Sequence, residues 1–169
     1  DVVYIKSGFS GNFSLTTKDI TCDASLNANG PQVDKDHALN VHETTTGTVV
    51  INSNLINNSV YAGGVNSAAK IGSGQVTVNG NLIGNNEVGL YITDGNSGNV
   101  TINGNISSKR ESVKNASNSV ILKINNSLIK TDGLGSVTYS VHITGASNSG
   151  TYIYNSTVYN GLTNSSIVY

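Results

Sequence analysis

Val76-Thr77-Val78-Asn79-Gly80-Asn81-Leu82 decides the fold, because the phrase recurs as Val49-Val50-Ile51-Asn52-Ser53-Asn54-Leu55 and as Val100-Thr101-Ile102-Asn103-Gly104-Asn105-Ile106. Weaker copies run from Leu122 to Leu128 and from Tyr152 to Val158. The copies start at 49, 76, 100, 122 and 152, hence 22 to 30 residues apart, the range in which one supersecondary unit stacks on the next. In Val76-Thr77-Val78 the alternation sets the two valines on one face of a strand and Thr77 on the other. Asn79-Gly80 then turns the chain, two residue types that tolerate positive φ.

Carrying the alternation through the corner places Asn54, Asn81 and Asn105 inside, in a column continued by Ser127 and Thr157. An unpaired buried amide costs roughly 1–3 kcal/mol, so this column is expected to bond to itself along the stack at the ~4.8 Å strand spacing. A second column, outside the corner, holds Asn52, Asn79, Asn103, Asn125 and Asn155, read as turn residues with positive φ.

These phrases, with a second strand such as Val88-Gly89-Leu90-Tyr91-Ile92, make the chain resemble the right-handed parallel β-helix repeat proteins from Gly47 to Tyr169. The expected fold is therefore all-β, a right-handed parallel β-helix (solenoid) of roughly 5–7 coils. The family spans pectate lyases and polygalacturonases, phage tailspikes, and autotransporter or adhesin passengers, and the fold does not choose among them. Residues 1–46 are only loosely periodic, with candidate strands at Val2–Ile5, Phe13–Thr17 and Ala38–His42, and are expected to form an opening coil with a capping or partner-contacting segment. Residues 47–169 form the regular coils, with Ser107–Ser119 expected as an outward polar loop in which Lys109, Arg110, Glu111 and Lys114 are solvated.

Composition narrows the function classes. Charged residues make up 11% and the net charge is −1, so there is no basic stripe for nucleic acid. No apolar run approaches the ~20 residues of a membrane-spanning helix. Cys22 is the single cysteine and reads as a small buried residue. Asn-x-Ser/Thr triplets stand at Asn12, Asn57, Asn99, Asn105, Asn115, Asn125, Asn155 and Asn164, acceptor sites only in a host that glycosylates; Asn105, assigned inward, is expected to stay unmodified. The chain ends on the apolar pattern Ile167-Val168-Tyr169, from which strand addition between molecules is expected.

Residues with catalytic potential are few. Asp34, Asp36 and His37 are the densest metal-ligating or acid–base group, yet they fall in the irregular segment, where a solvated loop is the plainer reading. The resemblance implies clustered carboxylates on a strand face for a lyase or hydrolase, and the hydrolase Asp pairs are absent, while Arg110 is the only arginine. Asp94 and Asp132 each sit in Thr-Asp-Gly and read as turn residues, and His142 is expected on an outward strand position. No cofactor is implied. The reading is a non-catalytic extracellular or cell-surface structural protein, an adhesin or self-assembling filament module, secreted and without membrane insertion. Its partners would be copies of itself through terminal strands or coil ends, or surface glycans or a receptor. The alternative is a module of a phage tailspike on a virion surface, or of a glycan-degrading β-helix enzyme.

Overall fold

A computed structural model describes residues 3–5, 9–15, 18–23, 37–59, 65–95, 97–132, 139–145 and 150–160, and the strand backbone at 162–163 and 167–168. The chain winds as a right-handed parallel β-helix in which every strand pair is parallel. The first sheet stacks β1 (Val3–Ile5), β4 (His37–Val41), β7 (Ser67–Ile71), β10 (Val88–Ile92), β13 (Glu111–Asn115), β16 (Tyr139–Ile143) and β19 (Leu162–Thr163). The second stacks β2 (Asn12–Leu15), β5 (Thr48–Ile51), β8 (Gln75–Val78), β11 (Asn99–Ile102), β14 (Ile121–Asn125), β17 (Gly150–Tyr154) and β20 (Ile167–Val168). The third stacks β3 (Ile20–Cys22), β6 (Leu55–Asn57), β9 (Leu82–Gly84), β12 (Ile106–Ser108), β15 (Leu128–Thr131) and β18 (Thr157–Tyr159). Among the described residues one strand from each sheet makes a coil, giving six coils and two strands of a seventh.

The core is a set of axial columns. Val49, Val76, Val100 and Leu122 lie directly above one another, as do Ile51, Val78, Ile102 and Ile124, all at most 2% exposed. The third sheet closes the interior with Leu55, Leu82, Ile106 and Ile129, each at 0%. Burial of each such side chain is worth about 1.5–3 kcal/mol, and repetition every coil sums it along the axis.

The corner between second and third sheets differs from the sequence expectation in two ways. Asn54, Asn81 and Asn105 are not inside: Asn54 and Asn81 are half-buried, Asn105 is exposed, and Leu55, Leu82 and Ile106 take the interior. The three-residue corner bends the backbone, so strand parity does not carry across it, and an aliphatic side chain outcompetes an amide for the core. The Asn side chains instead reach along the axis. Asn54 Oδ1 accepts the Asn81 amide N–H at 2.8 Å, Asn81 Oδ1 accepts that of Asn105 at 2.9 Å, and Asn105 Oδ1 accepts that of Leu128 at 2.9 Å. Leu128, not Ser127, therefore follows Asn105, and Thr157 follows Leu128 in register. Ser127 is buried separately and donates to the Gly104 carbonyl at 2.8 Å.

Neither Asn79 nor Asn103 adopts positive φ, and neither does Gly80 or Gly104. Glycine is needed there for close stacking, since a Cβ on Gly104 would stand 2.1 Å from the Gly80 carbonyl oxygen and one on Gly80 2.0 Å from that of Ser53. The amide ladder lies on the outer column: Asn79 Nδ2 donates to Asn52 Oδ1 at 2.6 Å, Asn103 Nδ2 to Asn79 Oδ1 at 2.8 Å, and Asn125 Nδ2 to Asn103 Oδ1 at 2.9 Å. In the fifth coil four residues separate Ile124 from Ile129, where three separate Ile102 from Ile106. The extra residue moves the ladder by one position, so Asn155 Nδ2 donates to Asn126 Oδ1 at 2.7 Å, and these two asparagines carry the positive φ of 46° and 51°.

Residues 107–119 also differ from expectation. Residues 107–115 form the end of β12 and all of β13 rather than an outward loop, with Ser108, Val113 and Asn115 buried, and 116–119 lie in the connection to β14. The described part of residues 1–46 supplies β1 to β4 in the same sheets as the later coils. Residues 24–36 of that segment, for which a capping or partner-contacting part was expected, lie outside the described residues.

Candidate functional site on the first sheet

The outer face of the first sheet concentrates ionisable side chains. Its strands place two successive residues inward, for example Ala68 and Ala69 or Ser112 and Val113, each at 0% exposure. This break in alternation turns the first and fourth positions away from the core, the first largely covered and the fourth half-buried from Lys70 to His142. The fourth position carries Asn40, Lys70, Tyr91, Lys114 and His142 in direct register. The first carries His37, Ser67, Val88, Glu111 and Tyr139.

Glu111 is the centre of this face. Although only 7% exposed, it meets Lys114 Nζ at 3.5 Å through Oε2, and its Oε1 accepts a hydrogen bond from His142 Nδ1 one coil on. Tyr139 leans on the His142 ring at 5.4 Å between centroids, and Lys114 Nζ lies 5.8 Å from the centre of the Tyr91 ring. At the neighbouring corner Arg110 Nη1 approaches Glu87 Oε1 at 3.5 Å, while Glu87 Oε2 accepts the Asn66 amide at 3.4 Å. Burial pushes the Glu87 carboxyl above its ordinary range, against the Asn66 hydrogen bond and the Arg110 charge, which pull it down. Burial likewise raises the Tyr91 hydroxyl, helped by the negative charges of Asp94, Glu111 and Glu43.

The ionic contacts span the fourth to sixth coils, and each carboxylate faces a cation. Lys114 and Glu111 are thus not members of a solvated loop, as their spacing alone suggested; Glu111 is buried and Lys114 half-buried. No group of three metal-ligating side chains occurs among the described residues. The face sets charged, amide and aromatic groups side by side.

The sequence candidates are dispersed. Asp34 and Asp36 lie outside the described residues. His37 is 2% exposed, with Nδ1 at 2.8 Å from the Ser67 hydroxyl. Asp94 follows a strand of the first sheet and accepts the Gly95 amide at 3.0 Å, whereas Asp132 follows a strand of the third and pairs with Lys130 at 2.9 Å, so they do not meet. His142 is half-buried rather than fully solvated. Cys22 is 1% exposed and lies 3.4 Å from the Ser59 hydroxyl.

Among the glycosylation triplets, Asn57 and Asn115 are internal polar groups. Asn57 Nδ2 donates to the Ser67 carbonyl at 2.8 Å and Asn115 Nδ2 to the Thr151 hydroxyl at 3.2 Å, which leaves neither side chain accessible to a glycan. Asn12, Asn99, Asn105 and Asn155 are exposed, Asn125 is half-buried, and Asn164 lies outside the described residues. Parity assigns Asn105 inward, and the corner turns it out. The Glu111–His142 contact joins residues 31 apart, and only the exact coil length, invisible in a degenerate repeat, could have found it. No family model, curated protein or solved structure matches the chain.

Proposed function

We propose that the chain is a non-catalytic extracellular structural module, a surface adhesin or filament segment, whose rigid coils hold rows of side chains toward a partner. The observation that carries this reading is the axial registry of the exterior. The Asn52–Asn79–Asn103–Asn125 ladder runs through the second to fifth coils and the Lys70–Tyr91–Lys114–His142 column through the third to sixth, and Glu87 and Glu111 beside that column are paired with cations. A general acid or base needs a carboxylate free to reach substrate, and Glu111 is occupied from two sides. Partners fitting such a surface are surface glycans, a receptor, or further copies of the chain meeting at coil ends.

The test has two arms. Beads carrying the full chain should adhere to glycan-bearing cells, and the chain incubated with acidic and neutral polysaccharides, with and without calcium, should release no new reducing or unsaturated ends. Product formation that disappears in Glu87→Gln or Glu111→Gln would replace this reading by the glycan-degrading one.

A further inference from the structure

The second sheet presents a different surface from the first. Along its described strands the outward positions are Asn12, Ser14, Thr48, Val50, Gln75, Thr77, Asn99 and Thr101 in the first four coils, all uncharged. In the fifth and sixth coils the character changes to Ile121 and Lys123 beneath Gly150 and Tyr152, with Asn125 beneath Tyr154. Lys123 is exposed and is the only charged side chain on those outward strand positions.

The two tyrosines are aligned. Their rings are parallel within 4° and their centroids lie 6.1 Å apart, close to the ~6.6 Å that separates alternate residues on one face of a strand. Tyr152 reclines along β17 over Gly150: a Cβ there would come within 2.7 Å of its Cε2 and 3.1 Å of its hydroxyl oxygen. Glycine at 150 thus clears the space that the ring occupies. Tyr154 is 44% exposed and Ile121 beneath Gly150 is 42% exposed. Aromatic and aliphatic surface left uncovered in this way has a cost in water that a binding partner removes.

We propose that Tyr152, Tyr154, Lys123, Asn125 and Ile121 form a binding strip for a carboxylated glycan. The pyranose ring offers a face of C–H groups that suits an aromatic ring, and its hydroxyls suit the tyrosine hydroxyls and the Asn125 amide. The lone positive charge, with no carboxylate on the outward strand positions of this sheet, selects a saccharide that carries an acidic group. The strip deepens the adhesin reading above and rests on it.

The full chain is titrated by calorimetry with a hyaluronan octasaccharide, with sialyllactose as a second carboxylated probe and cellohexaose as a neutral one. The carboxylated probes bind and cellohexaose binds more weakly. Tyr152→Ala and Tyr154→Ala each weaken carboxylated-probe binding roughly tenfold. Lys123→Gln, an exposed substitution that leaves the core untouched, weakens it by about threefold and reduces its dependence on salt. Absence of binding by both carboxylated probes, or binding that all three substitutions leave unchanged, overturns the strip. Equal binding of cellohexaose, insensitive to Lys123→Gln, overturns the acidic selectivity. Bead adhesion separates the two proposals: adhesion that survives Tyr152→Ala and Tyr154→Ala removes the strip alone, whereas wild-type beads that never adhere remove the adhesin reading itself.

Discussion

At the scale of single residues, Asn-Gly-Asn is three different solutions to stacking one backbone on another. The first Asn builds an amide ladder, the Gly allows the close approach of main chains, and the second Asn caps the next coil's backbone N–H. Their costs should differ accordingly. Asn103→Ala removes two ladder hydrogen bonds at an exposed site, and a loss of about 1 kcal/mol is expected because water replaces them. Gly104→Ala forces a methyl against the Gly80 carbonyl, a backbone contact that cannot rotate away, and a loss of about 1–3 kcal/mol is expected. Urea unfolding of the two variants measures this order; an equal or inverted order would show that the corner has room for a methyl.

At the scale of elements, the first sheet is held by ions as well as by backbone ladders. Glu87 precedes β10 and receives Arg110, which precedes β13, so the pair joins the fourth and fifth coils. The partly exposed pair contributes little by itself. Its carboxyl is raised in the fold, chiefly by burial, so the folded chain holds that proton more tightly than the unfolded chain does. The contribution of this group to stability therefore falls as pH rises from about 4.3, the unfolded value, through the raised folded one. Glu87→Gln abolishes that titration, and Tm of the variant relative to wild type is expected to climb as pH rises through this range. Parallel Tm curves for the two proteins would mean that the Arg110 attraction fully offsets the burial.

At the scale of the whole molecule, each coil contacts the coils before and after it, and stability is a sum of coil and interface terms. Ile102 at 0% exposure lies between Val78 and Ile124. Ile102→Ala is expected to cost about 2–5 kcal/mol. Its effect should be local: amide exchange should accelerate in β8, β11 and β14 well before β2 or β17. Uniform acceleration along the whole axis would indicate one cooperative unit instead of coupled coils.

The sequence by itself determined the repeat, the all-β parallel stack and the strand core, because Val76, Val78 and their counterparts obey a two-residue period that only a half-buried strand explains. It also marked the corner asparagines other than Asn126, though not which way each points. Parity is a property of straight strands, and a corner resets it by a geometry that depends on the coils above and below. Tertiary structure therefore decided that Leu82 enters the core and Asn81 does not, and that the ladder shifts to Asn126 where one residue is added. It also decided which distant charges meet. Glu111 and His142 become neighbours only because the chain completes one turn between them, and a strand spacing of ~4.8 Å turns that sequence separation into contact.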